Sequence, residues 1–479
     1  CVTRWSIVIP ASQVESSACG RVWATVHSPA IRVTSASDLL DAIELNWDFN
    51  ACSNVPTQIG LFDDRPLSWV SALAVYPISS IEGHVVTNFS LGDVSLPAGW
   101  ESGTGIRGPH CLWPWAGAGD SQILAHNCLK IQPTWMEDNA LYNDNTLSNS
   151  KESIRSNIIF ISSWSSALWI TTFLATLNNS CPWATVVDKI NRLRVGELAI
   201  PGTHNAGAWR FDTEISSVSR DTFVLCQDRS VWAQLVHGIR YFDFRIGYYD
   251  FYAKEEDRYW LNHNLIRVRP LVPLLREIRV FLDSTKEVVF LDAHHFPIGF
   301  YEQNGAPIRH VHEGLIRIIQ NELGPHLALA TQFSTGSGTR GPTVQSLVEA
   351  DKRLLFSYVD NNIVLENSWL WPILPHLWAN TNNPTELFAF LDRTIGTYPQ
   401  PSARSPLYSA MAQTTPTVID ILFLRGSIRE NADDVNRNVT ARLTGKWRNQ
   451  ANIVSTDFFL GNDVIDASIA ISLERAGRL

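Results

Sequence analysis

Residues Glu197–Gly207 read ELAIPGTHNAG. Glu197 to Ile200 have strand character and run into a Pro-Gly pair, which is expected to stop the ladder because proline lacks an N–H and glycine favours a turn. Thr203, His204 and Asn205 would then sit just past the C-terminal end of a buried strand, where α/β barrels keep their chemistry. Farther on, GIRYFDFRI (Gly238–Ile246) predicts a second strand. Asp243 and Arg245 lie two residues apart on it and so face the same way. Asn262-His263-Asn264 then sets a second histidine in a turn-rich stretch. Two histidines, a carboxylate and an arginine suit phosphodiester cleavage. One histidine takes a proton, the other gives one, and the arginine holds the phosphoryl oxygens.

Downstream of Val186, strand and helix patterns alternate. Helices are predicted at SVWAQLVHGI (230–239), VRPLVPLLREIRVFLDSTK (268–286) and PIRHVHEGLIRIIQNELG (307–324). Strands are predicted at LAI, YFDFRI, EVVFLDAHH, KRLLFSYVD, LYSAMAQTTP and ANIVSTDFF. Apolar runs with little alternation indicate parallel strands covered by helices, and their repetition indicates a distorted α/β barrel.

The order IPGTHNAG, GIRYFDFRI, NHN, an amphipathic helix and EVVFLDAHHF resembles the X domain of phosphatidylinositol-specific phospholipases C. The nearest likeness is to the animal proteins that contain this domain. It runs from about Val186 to about Leu473, and ELNWDF, IGLFDDRP and LKIQPTWM extend it towards the N-terminus. The resemblance implies a barrel related to the TIM barrel, and a phospholipid substrate met at a membrane surface. It makes His204 the general base, with a turn-capping histidine as the plainer alternative. His263 becomes the general acid, and Arg245 the phosphate clamp. Asp243 would hold Arg245 or contact the attacking hydroxyl. Asp457, at the end of the last strand, would accept Nδ1–H of His204; the alternative is a helix N-cap.

The substrate-binding set implied is Asn205, Asp292 and Tyr358. Metal-independent relatives carry aspartate where this chain has Asn205; calcium-dependent ones carry asparagine as a metal ligand. Bacterial relatives offer the inositol a lysine at the strand end where this chain has Asp292. Asn264 stands where glycine commonly follows the acid histidine. Asp292, His294 and His295 resemble a metal cluster, but without a second fixed carboxylate they read as residues of the barrel mouth. No cofactor is expected, because Arg245 beside Asp243 would repel a cation; calcium held by Asn205 and Asp243 is the alternative. Two rivals remain: a glycerophosphodiesterase, whose His-Arg start and acidic metal site are not seen, and a barrel without turnover that binds lipid head groups or a protein.

At 479 residues the chain has room for more than one domain. With 45% apolar and 18% charged residues it has a globular composition. A net charge of −9 excludes a basic, phosphate-tracking nucleic-acid binder and adhesion to anionic membranes by charge alone. Residues 1–135 alternate apolar and polar positions between Gly/Pro turns, as in RVWATVHSPAIRV and IELNWDFNAC, and predict a β-sandwich without catalytic residues. Residues 136–185 are expected to form an irregular insertion, and 186–479 the barrel. Ser156–Ala184 carries no charge, yet its many Ser, Thr and Asn residues disfavour a membrane span. Five of the seven cysteines (Cys1, Cys19, Cys52, Cys111, Cys128, Cys181, Cys226) precede residue 130, without zinc-type spacing. Their crowding predicts disulfides and an oxidising, extracellular setting, with which sequons at Asn88, Asn178 and Asn438 agree.

Overall fold

The structure, a computed structural model, describes residues 21–27, 42–50, 55–62, 72–90, 111–118, 122–126, 129–130, 190–209, 222–330, 341–398, 407–423 and 425–477, with the backbone alone between 111 and 130. The chain divides into two compact units, Cys1–Trp135 and Met136–Leu479.

Among the described residues of the first unit every strand pairing is antiparallel. Strands β1 (Arg21–His27), β2 (Ala42–Asp48) and β5 (Glu82–Ser90) form one sheet in the order β1-β2-β5. Strands β3 (Gln58–Phe62), β4 (Ala74–Pro77), β6 (Cys111–Ala118) and β7 (Gln122–His126) form a second in the order β4-β3-β6-β7, with β8 (Leu129–Lys130) on β6. Period-2 alternation sends Val22, Ala24, Ile43, Leu45 and Trp47 to one face, where they meet Ile59 and Leu61 of the other sheet in one apolar cluster. The described part of the unit is therefore all-β and antiparallel. Residues 136–185 lie outside the described residues, and so do the side chains of every cysteine except Cys226, a buried free thiol. No described helix is long and apolar enough to cross a membrane.

The second unit is built on eight parallel strands: β9 (Ile200–Thr203), β10 (Tyr241–Tyr248), β13 (Val289–His295), β14 (Leu354–Tyr358), β15 (Leu370–Pro372), β16 (His376–Leu377), β17 (Ser409–Ala412) and β18 (Ile453–Thr456). Their order is β15-β14-β13-β10-β9-β18-β17-β16, so the first strand pairs with the last and the barrel closes there. Between the described strands β15 and β16 no pairing forms, and the barrel is open at that point. Pro372 ends β15 and Pro375 precedes β16, withholding N–H donors where a ladder would need them. An antiparallel hairpin, β11 (Tyr259–His263) and β12 (Ile266–Pro270), extends β10 past the barrel.

The first barrel strand corrects the sequence reading. Pro201 and Gly202 lie within β9 instead of ending it. The ladder survives because Pro201 still accepts, its carbonyl taking the N–H of Arg240 at 3.0 Å. Gly202 lets its neighbours close in: a Cβ there would stand 2.7 Å from Ser455 Oγ and 2.8 Å from Tyr241 Cδ1. His204 and Asn205 remain immediately beyond the strand.

The covering helices follow their sequence signals. Helix α1 (Val231–His237) starts on Ser230, whose side chain accepts from Ala233 N–H, and ends on Gly238 at φ 120°. Helix α2 (Leu271–Ser284) buries Leu271, Leu274, Leu275, Ile278, Phe281 and Leu282, an i, i+3, i+4, i+7 stripe. Helix α3 (Arg309–Leu323) does the same with Val311, Leu315, Ile318 and Ile319.

Candidate active site

The strand ends of β9, β10 and β18 bring the first group together. Alternation along β10 turns Tyr241, Asp243 and Arg245 inward, and β9 and β18 deliver His204 and Asp457 at their C-terminal ends. His204 Nδ1 lies 2.7 Å from Asp457 Oδ1, and both side chains are buried. Its other nitrogen, Nε2, is 2.6 Å from Arg245 Nη2. A guanidinium can only donate, so Nε2 carries the lone pair and Nδ1 the proton; the network assigns this tautomer. The peptide around His204 is fixed as well, with its carbonyl accepting from Gln227 Nε2 at 2.9 Å.

Asp243 is fully buried, with a polar neighbour close to each oxygen. Oδ2 accepts the N–H of Asn205 at 3.0 Å and lies 3.7 Å from Arg245 Nη2, while Oδ1 lies 2.6 Å from His294 Nδ1. Burial opposes its ionisation, but His294 and Arg245 outweigh that and hold the carboxyl well below its ordinary range.

His263 enters from the β11–β12 hairpin. Asn264 follows it at φ 52°, the left-handed conformation that asparagine tolerates best after glycine, which is how this chain makes the turn without glycine. His263 Nδ1 donates to the Val224 carbonyl at 2.7 Å, leaving Nε2 as the working nitrogen. Burial, then the positive groups Arg245 and His204, push its pKa down to about 3. An unfolded histidine titrates near 6.5. Between about 6.5 and 3 the unfolded chain therefore binds a proton that the folded chain does not, and stability falls as the pH falls through that window. The unfolding free-energy difference between wild type and His263→Asn is expected to be flat above pH 6.5 and to shift in the variant's favour below it. A difference that stays constant down to pH 4 in denaturant titrations would contradict this burial.

Three expected substrate-binding residues are placed differently. Asn205 is buried at φ 43°, and its amide faces Cys226 Sγ at 3.9 Å, with Cys226 in turn 3.9 Å from His263 Nδ1. The thiol stands between the amide and the histidine, so Asn205 does not bond His263 directly. Burial pushes the Cys226 thiol's pKa well up, which keeps it protonated.

Tyr358 is turned away from the site. On β14 it is Ser357 that faces the interior, so alternation sends Tyr358 outward, where its hydroxyl meets His312 Nδ1 of α3 at 2.7 Å. Asp292 does face inward, with polar neighbours on both oxygens. Tyr241 Oη donates to it at 2.5 Å, His376 Nε2 lies at 2.8 Å, and Ser357 Oγ donates to its other oxygen. Burial opposes its ionisation, and His376 reverses the balance to lower its pKa. Contrary to the sequence reading, a second carboxylate does stand beside this group: Asp243, against His294. His295 points to solvent.

Sequence reasoning missed His376, Gln227, Cys226 and Tyr241. His376 lies on a two-residue strand after Pro375, too short to show any period. Tyr241 could have been found, since it shares the inward parity of Asp243.

No protein-family model matches the chain. Over 239 residues it is 30% identical to PI-PLC X domain-containing protein 3 of Mus musculus, covering 44% of this chain and 68% of that protein. The Homo sapiens protein of the same name is 26% identical over 321 residues, covering 60% of this chain and 92% of that protein. Among solved structures, a phosphatidylinositol-specific phospholipase C from Listeria monocytogenes superposes at a TM-score of 0.44 with 17% identity, covering 60% of this chain and 97% of that one.

Proposed function

The chain belongs to the PI-PLC X domain-containing proteins, and from that premise we propose that its second unit is a phospholipase C-like phosphodiesterase acting on a glycerophospholipid. The observation that carries this reading is His204, bonded to Asp457 on one ring nitrogen and facing Arg245 with the other. That is a base with its lone pair set toward the group that would hold the phosphate.

In the reaction proposed, the anionic phosphate draws Arg245 off His204 Nε2, since a guanidinium binds phosphate through two parallel hydrogen bonds. The freed Nε2 removes the proton from a head-group hydroxyl beside the phosphate, or from water, and that oxygen bonds to phosphorus. The bond from phosphorus to the glycerol oxygen breaks, and His263 gives its proton to the departing diacylglycerol. The negative phosphate beside His263 raises its affinity for that proton, offsetting the burial that lowers it. Asp457 stabilises the His204 imidazolium while it exists.

Incubation with mixed phospholipids, followed by mass spectrometry, is expected to yield diacylglycerol and phosphorylated head groups. Head-group binding without products would favour instead a barrel that recognises lipid without turning it over. The acid role has its own test. His263→Ala is expected to lose at least about 10²-fold on a substrate with a poor leaving group. It should lose much less on one with a good leaving group, and equal losses would remove His263 from that role.

We also infer that the protein works in an oxidising, extracellular setting with disulfides in its first unit, a reading supported by the cysteine crowding before residue 130. Peptide mapping without reduction should show paired cysteines there. Free thiols throughout would overturn the secretory reading as well.

A further inference from the structure

Asp292, His294 and His376 each offer a ligand atom, and these atoms lie within 4.8 Å of one another. We propose that they bind a divalent transition metal of the zinc class, a site separate from the His204–His263 pair and independent of the function proposed above. Two imidazoles and one carboxylate form a donor set for such ions, whereas calcium and magnesium ask for oxygen.

The surroundings match a metal site in two further respects. His294 Nδ1 lies 2.6 Å from Asp243 Oδ1, yet neither buried atom has a partner in hydrogen-bond alignment. With Asp243 against Nδ1, the nitrogen left for an ion is Nε2, and a small turn of the ring would align Nδ1–H on the carboxylate as in histidines that bind metals. On the other side, Ser357 Oγ donates to one oxygen of Asp292, while Tyr241 Oη donates to the other, Oδ2, at 2.5 Å and lies 3.1 Å from His376 Nε2. Asp292 Oδ2 thus has one lone pair on Tyr241 Oη and the other toward His376, and it is this second one that an ion would take.

The spacing is also suitable. His376 Nε2 and Asp292 Oδ2 are 2.8 Å apart, a distance at which the ring N–H donates to the carboxylate. Ligand atoms on a tetrahedral zinc ion stand about 3.3 Å apart, so a metal can replace that proton with a small opening of the pair. The rings of His294 and His376 lie side by side with centroids 4.2 Å apart. Both side chains keep 16% and 15% of their surface exposed, which gives an ion a way in. Because Asp292 and His294 belong to β13 and His376 to β16, the ion would tie the barrel across its unpaired β15–β16 side.

The test uses the full chain, stripped of divalent ions and titrated with Zn²⁺ by calorimetry. One ion per chain is expected, with proton release because the proton between His376 and Asp292 must leave, and with a thermal midpoint that rises with free Zn²⁺. His294→Ala and His376→Ala should each weaken binding by at least about 100-fold. His295→Ala and His204→Ala should leave it intact, so this site can stand even where the catalytic reading fails. The other candidate cluster among the described residues, His204, Cys226 and Asp457, supplies the overturning result. Binding lost in His204→Ala, or absent from wild type, or unaffected by both His294→Ala and His376→Ala, sinks the proposal. Should those variants fail to fold, Co²⁺ on wild type decides. A thiolate charge-transfer band would place the ion at Cys226 and overturn the assignment, and visible d–d bands without it would support it.

Discussion

Replacing His204 with alanine is expected to cost at least about 10²-fold in kcat on a phospholipid substrate, the usual scale for losing a general base. The expectation rests on geometry. Only Nε2 of this ring bears a lone pair, and it is aimed at Arg245, the position a phosphate would take. Asp457 holds the opposite nitrogen at 2.7 Å and decides the tautomer. Asp457→Asn should therefore lower kcat in the same direction with KM little changed, since the amide can present N–H to Nδ1 and turn the lone pair to the wrong side. Steady-state kinetics on protein of wild-type circular dichroism settles the matter. A His204→Ala enzyme within a few-fold of wild type would mean that another group takes the proton.

Arg245→Lys is expected to lose on the order of 10²-fold, the range seen when one transition-state donor is removed. Lysine keeps the charge but not the planar fork, so positioning is lost. The same residue bears on calcium. Arg245 Nη2 stands 2.6 Å from His204 Nε2 and 3.7 Å from Asp243 Oδ2, so a fixed positive charge occupies the place a calcium ion would need. Asp243 has little left for a metal there, with one oxygen on Asn205 and the other against His294. Calcium added to protein stripped of divalent ions is expected to leave turnover unchanged. It should also fail to rescue Arg245→Lys, while Arg245→Asp opens the only route to a calcium response. Calcium-dependent turnover in the wild type would make Asn205 a ligand and end the clamp reading.

Residue order and side-chain period were enough to read six of the eight described parallel strands, all but β15 and β16, because apolar runs and amphipathic helices carry their pattern locally. The same logic located His204 past the first strand, Asp243 and Arg245 on one face, and Asp457 at the last strand end, next to the first. Local pattern misjudged β9, since whether Pro-Gly ends a ladder depends on neighbours such as Ser455 and Tyr241 packing into the space glycine leaves. Tyr358 shows the limit most plainly. Alternation says that Ser357 and Tyr358 face opposite ways, but which of them faces inward was decided by Asp292 on β13 and His312 on α3. His376 had no signal at all in its two-residue strand, and it joins Asp292 across 84 positions of sequence. The partners of His263 were likewise set by the fold, with Val224 fixing its tautomer and burial setting its pKa near 3. Sequence determined which chemistry was available, because residue type and period are local properties. The tertiary structure decided which groups meet and in what protonation state, because desolvation and hydrogen bonding depend on segments that only folding brings together.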